Sequence, residues 1–250
     1  EQADDHFGTI IYDGQSTDKT ISTNFQADWL WFKERTTDGI QHQLFDSSRL
    51  HSTTNNVFGR VLRSDSTAVE ADSTAVVSQS GNDIVVDGGV STVNDIYSRT
   101  YVMWHWKANG GTTSSNTDGT TTSTVQVNDK AGFSIVLYSG NSSSRTVGHG
   151  LSSAPQFIIV KSRTHTERWT VFHHSIANGY IYLNDSFALQ TGNADERFGD
   201  SSSVIVPNST VVTLGANNSD VNKSGEDYVM YCFREIEGYS KFGEYHGNGN

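Results

Sequence analysis

Cysteine is almost absent from this chain: Cys232 is the single one in 250 residues. An internal disulfide is therefore excluded, and the compartments that fit are a reducing cytosol, or a particle assembled there and later released. Proline is nearly as scarce, two residues against 23 glycines, so turns must rest on Gly, Asn, Asp and Ser. Positive charge is also short. Seventeen Lys and Arg stand against 28 Asp and Glu, a net charge of −11, with a pI near 5.1. A field of that sign repels phosphate backbones and argues against a nucleic-acid partner. No apolar run approaches the roughly 20 residues needed to span a bilayer, and no signal-peptide pattern is visible. No membrane partner is expected. The sequence opens on Glu1 rather than Met, so a preceding segment is expected.

What is present is material for a core under a polar surface. Hydrophobic residues are 34% of the chain and charged residues 18%, the balance of a folded protein rich in hydroxyl and amide groups. The length allows one large domain or two ordinary ones. Internal similarity decides between them. "FGTIIYDG" (residues 7–14) is echoed by "FSIVLYSG" (133–140), with Tyr12 and Tyr138 126 apart. "DWLWFKER" (28–35) matches "QFIIVKSR" (156–163) at an offset of 128, keeping Lys33/Lys161 and Arg35/Arg163. "HQLF" (42–45) faces "WTVF" (169–172), and "YVMWHWK" (101–107) faces "YVMYCFR" (228–234), both at 127. Four segments in one order, with offsets drifting by two residues, indicate an internal duplication.

Each matched segment is rich in β-branched and aromatic residues over a strand-like length. The expectation is an all-β chain of two tandem, sequence-related, jelly-roll-like β-sandwiches, residues 1–108 and 132–240. Residues 109–131 would be a Gly/Ser/Thr-rich connection, either a linker or, around Ser123–Asn128, an extra edge strand. In the last strand of each copy, Val102, Trp104 and Trp106 share one face, matched by Val229, Tyr231 and Phe233; these are the expected core. Residues 66–77, "STAVEADSTAVV", are the best candidate for a short helix. A third echo, "FGEYHGNG" (242–249), falls in residues 241–250. It would be either a closing strand of the second sandwich or the start of another repeat.

A search for chemistry finds no catalytic signature. GxSxG and HExxH patterns are absent. Glu235 and Glu237 share a strand face as a glycosidase pair would, but without the aromatic or acidic neighbours of such a site they are expected to be exposed charges. His173 and His174 are adjacent and would point to opposite strand faces, unable to share a metal. The Asn/Asp-rich residues 217–227 offer oxygens for calcium but lack a spaced-acid loop. No cofactor and no metal site are expected. Residues found in one copy and not the other report on binding. Trp169 stands opposite His42, and Tyr180 and Tyr182 stand opposite Thr53 and Asn55. Both tyrosines alternate with Ile181 and Leu183 and are expected to face outward. Aromatic rings beside amides suit the faces of sugar rings, so Trp169, Tyr180 and Tyr182 are the candidate glycan-binding residues, with packing between repeats or subunits as the alternative.

The stretches "SNTDGTTTSTVQVNDKAGFSIV", "YSGNSSSRTVGHGLSSAPQFIIVKSR" and "YVMYCFREIEGYSKFGEYHGNG" resemble a repeated domain of tailed-phage virion and tail-fibre-like proteins, especially of marine phages. The resemblance spans residues 7–250 and is most specific from Asn116 onward. It implies a non-catalytic virion structural protein, most simply a tail or tail-fibre component presenting a β-rich surface for host attachment. The alternatives are a capsid decoration or cement protein stabilising the phage head, and a polysaccharide-degrading jelly-roll enzyme. The implied location is the virion. Other virion proteins are implied as partners, with a homo-oligomer, a trimer in such proteins, and a host surface glycan.

Overall fold

Period-two alternation of bulky residues, punctuated by Gly, Asn, Asp and Ser clusters, builds strands rather than helices. The computed structural model of the chain describes residues 2–54, 56–176 and 178–248, and it is all-β. The first half carries β1 (Phe7–Asp13), β2 (Lys19–Ser22), β3 (Trp29–Glu34), β4 (Gln43–Asp46), β5 (Arg60–Val61), β6 (Ala71–Asp72), β7 (Val76–Ser80), β8 (Asp83–Val86) and β9 (Thr100–Trp106). The second carries β10 (Ser114–Asn116), β11 (Ser123–Asn128), β12 (Phe133–Ser139), β13 (Arg145–Gly148), β14 (Phe157–Ser162), β15 (Thr170–His173), β16 (Ile181–Tyr182), β17 (Val211–Leu214) and β18 (Asp227–Phe233). Among the described residues the α-helix is one turn, α1 (Ala194–Arg197).

Two large antiparallel sheets organise the molecule, β1-β9-β3-β4 and β10-β11-β12-β18-β14-β15-β16. Their central strands pair in matching register. Phe7 lies opposite Trp106 in β1–β9, and Phe133 opposite Phe233 in β12–β18. Trp29 pairs with Trp106 and with Asp46, while Phe157 pairs with Phe233 and with His173. Hydrogen bonds from matched tyrosines follow suit. Tyr101 Oη donates to Ser91 O at 3.1 Å and Tyr228 Oη to Ser219 O at 2.8 Å. Tyr12 and Tyr138 donate to Val93 O and Val221 O and stack on Tyr101 and Tyr228.

Each large sheet is buried on both faces, which explains why "YVMWHWK" and "YVMYCFR" are apolar on both. One face of β9, with Tyr101 and Met103, packs on Ile21, Val76, Ile84 and Val86 of the small sheet β2-β8-β7. The corresponding face of β18, with Tyr228, Met230 and Cys232, packs with Val147, Val212 and Leu214 of the pair β13-β17. The opposite faces of the two large sheets meet each other. Trp29 and Leu44 from the first half pack there with Phe133, Ile135, Trp169, Val229 and Tyr231 from the second.

That arrangement corrects the expected core. The residues Val102, Trp104, Trp106, Val229, Tyr231 and Phe233 lie on the faces turned toward the other half, not in the sandwich interiors. Val102, Val229 and Tyr231 are buried, whereas Trp104, Trp106 and Phe233 are half-buried. The interiors belong to the other parity. His105 sits there with neither ring nitrogen hydrogen-bonded among the described residues, and its ring leaves so little room that a Cβ on Gly8 would come within 2.4 Å of it.

Three other expectations change. Residues 66–70 carry no regular secondary structure and β6 and β7 follow, so residues 66–77, the best candidate for a short helix, form none; contacts with the second half, described below, hold this backbone. Strand β11 occupies Ser123–Asn128, but β10 lies outside it, so it is not the sheet edge. Residues 241–248 form no strand, which removes the closing-strand reading of the third echo. Phe242 is instead stacked on Phe157, ring centroids 5.5 Å apart, and its N–H donates to Glu235 Oε1 at 3.0 Å. The echo's Gly249 lies outside the described residues.

Candidate functional site

The chemistry of this chain concentrates where the halves meet. Residues 63–70 leave the first half and cross the second half's sheet. Trp169 Nε1 donates to Arg63 O at 2.8 Å and to Ser66 O at 3.1 Å, and Lys161 Nζ donates to Thr67 O at 3.3 Å. Glu70 N–H donates to Arg163 O at 2.8 Å, and the Arg163 guanidinium returns two bonds of 2.9 Å to the Glu70 carboxylate. Glu70 also holds Arg49 at 2.9 Å, Arg49 holds Asp46 at 2.5 Å, and Tyr231 Oη donates to Asp46 Oδ2 at 2.6 Å.

Burial opposes the Glu70 and Arg49 charges, and their partners overrule it. Burial alone would raise Glu70, but Arg49 and Arg163 hold it down to about 2. Burial disfavours the Arg49 cation, yet Asp46, Tyr231 and Glu70 keep its pKa above the ordinary arginine value. Lys161 is different. Burial pushes it down to about 8, against the pull of Glu167, Asp220 and Glu226, because its bonds go to backbone carbonyls instead of a carboxylate.

Beside this lock lies a groove. Its apolar part, about 350 Å³, is lined by aromatic rings of both halves, including Trp29, Trp31, Trp106, Phe157, Phe233 and Phe242. Trp29 is 1% exposed, and its Nε1 has no hydrogen-bond partner among the described residues. Trp31 and Leu183 also line a second, more open hollow of about 460 Å³, rimmed by His42, Ser64, Asp65, Asn184, Asp185 and Ser186. Trp31 and Leu183 thus stand between the two. Trp31 is half-buried and its Nε1 donates to His42 Nδ1 at 2.7 Å, which fixes that nitrogen as the acceptor. Burial lowers the His42 pKa, with Asp65 pulling the other way. Some of the rim is already engaged: Asn184 Oδ1 accepts the Trp169 N–H, and Asp185 pairs with Arg168 at 2.8 Å. A ring platform edged by hydroxyl, amide and carboxylate groups can hold a ligand with one apolar face and a polar perimeter.

The candidate glycan residues are elsewhere. Trp169 is fully buried under residues 63–70, and Tyr180 and Tyr182 are 4% and 8% exposed. None of the three offers a ring to a saccharide. The parity expected of the tyrosines is inverted: Ile181 and Leu183 face outward. Pairing of Thr170 with Tyr182 in β15–β16 sets that orientation. It lets Tyr182 Oη donate to Asp220 Oδ2 at 3.0 Å and sets the Arg197 guanidinium 4.2 Å from the Tyr180 ring centroid. Asn55, aligned with Tyr182, lies outside the described residues. Sequence reasoning missed Trp31, yet the comparison of copies contained it, since its counterpart is Ile159.

The other motifs have ordinary partners. In residues 217–227 Asp220 is held by Arg197 at 2.6 Å and Glu226 by Lys223 at 3.0 Å, so both carboxylates serve protein cations. His174 Nε2 lies 3.0 Å from Phe242 O. Glu237 is exposed. Among the described residues no three His, Cys, Asp or Glu side chains cluster as a metal site would require.

Comparison with curated proteins finds no match, and neither does comparison with solved structures. A family model does match, the domain of unknown function DUF7483, over residues 2–250. The chain belongs to the DUF7483 family.

Proposed function

We propose that this chain is a non-catalytic structural protein of a tailed-phage virion, a tail or tail-fibre component that presents a rigid β surface for host attachment. On this reading its halves are two copies of one jelly-roll-like sandwich, and it works as a homo-oligomer, a trimer, among other virion proteins. The sequence resemblance supports the virion assignment. Matched offsets, strand registers and tyrosine hydrogen bonds support the duplication. The observation that carries attachment is the groove through Trp31, a half-open ring platform with a polar rim held between two interlocked halves. Its ligand would be a host surface glycan, stacked on Trp31 and hydrogen-bonded along the rim.

Purified chain added to host cells ahead of the phage should slow adsorption, and Trp31→Ala chain should not. Equal competition by both proteins would overturn the role of Trp31. No competition by either, together with labelling of the head in images of intact particles, would favour decoration instead. One feature supports that second reading: Ile181, Leu183, Phe187 and Leu189 form an exposed apolar series suited to protein–protein contact.

A further inference from the structure

The outer edge of β1 has a counterpart in the second half, and there it is filled. Strand β12 is flanked by β18 on one side and β11 on the other. Its pairing with β11 runs from Thr124 opposite Leu137 to Asn128 opposite Phe133. Strand β1 matches β12 in register against its inner neighbour, yet it is the last strand of its sheet. Ile11, at the position of Leu137, is 61% exposed, while Leu137 is partly buried against the junction core. An edge of this kind leaves backbone donors and acceptors unpaired.

The turns leading into the two strands also match. His6 N–H donates to Ala3 O at 3.2 Å, and Gly132 N–H to Asp129 O at 3.2 Å. Beyond each turn the same carbonyl is used: His6 O accepts from Lys107 and Gly132 O from Arg234, at 2.9 and 2.8 Å. In the second half this turn delivers β11 onto β12. Gln2 occupies the place of Asn128, so the turn at residues 3–6 aims preceding polypeptide at the β1 edge.

We propose that the β1 edge is a strand-accepting site, filled antiparallel by polypeptide joined ahead of Gln2. The register is that of β11 on β12, and the suited strand is uncharged, with alternating β-branched residues like "STVQVN". The inference rests on the matched registers and turns and is independent of the attachment role.

The test joins the chain's own residues 112–128 directly ahead of Ala3 and follows amide exchange. The β1 amides should exchange about tenfold more slowly or better than in the unextended chain, as paired strands do, and the midpoint of thermal unfolding should rise. The same extension with proline at the positions of Thr124 and Gln126, whose backbone groups face β12 in the register of β11 on β12, should lose both effects, because proline cannot donate to a ladder. Free exchange of the added segment, with β1 unchanged, would overturn the proposal while leaving the duplication and attachment readings intact. Sedimentation of the unextended chain as a dimer broken by Ile11→Lys would also overturn it, by making a second copy the occupant.

Discussion

Beneath residues 63–70 the second half buries Ile159, Lys161 and Trp169, and it draws Arg163 into an ion pair with Glu70. At the matching positions of the first half, Trp31, Lys33 and His42 are half-buried and Arg35 is exposed. The lysines themselves behave alike: Lys33 and Lys161 each donate to the carbonyl of the following residue, at 2.9 and 2.7 Å. What differs is the cover. One half lends a segment and the other receives it, so equivalent faces become a sealed junction and an open groove. Shared residues fix the strands, and the unshared segment decides which face is covered and which is left open.

Substitutions sharpen the contrast. The largest effect is expected at the sealed face, where Trp169→Ala should destabilise by about 3–5 kcal/mol in denaturant unfolding. Trp104→Ala, on the same type of face but half-buried, should cost about half of that or less. Equal costs would break the distinction between the two faces.

Acid should act on two buried groups of the first half in separate windows. Burial lowers His105 to about 4 from an ordinary value near 6.5. The unfolded chain therefore takes up this proton first, and stability falls as the pH drops from about 6.5 to about 4, by on the order of 3 kcal/mol at most. Glu70, held at about 2, stabilises above its ordinary value near 4.5 and loses that contribution as the pH falls further toward 2. His105→Leu should flatten the first limb of the pH–stability curve and leave the second. A smaller effect is expected from Gly8→Ala, about 1–3 kcal/mol from overpacking against the His105 ring. The smallest on stability is Trp31→Ala, about 1 kcal/mol, because a half-open ring loses little packing.

Much of the strand framework was legible in the sequence, because the spacing of "YVMWHWK" and "YVMYCFR" carries over directly into matched registers. The face assignment was not legible. Both faces of these strands are apolar, and nothing local distinguishes the face packed on a small sheet from the face at the junction of the two halves. Residues 66–77 were only the best candidate for a short helix, and three hydrogen bonds from Trp169 and Lys161 to residues 63–67 together with the Glu70 ion pairs hold the segment in another path. Tyr180 and Tyr182 alternate in a segment where either parity was acceptable, and the choice was made by Asp220 and Arg197, far along the chain. Trp31 could have been found, since it is aromatic where the aligned residue of the second half, Ile159, is aliphatic.

Glu70 and its neighbours lock the two halves into one unit. Calorimetry of the wild-type chain and of Glu70→Gln, read alongside amide exchange in β9 and β18, tests it directly. The account predicts one cooperative transition in the wild type. Breaking the network should cost about 3–5 kcal/mol by leaving Arg49 buried with too few partners, and protection should fall in both strands together. Two separate transitions in the wild type, with Glu70→Gln lowering protection in β9 alone, would contradict it.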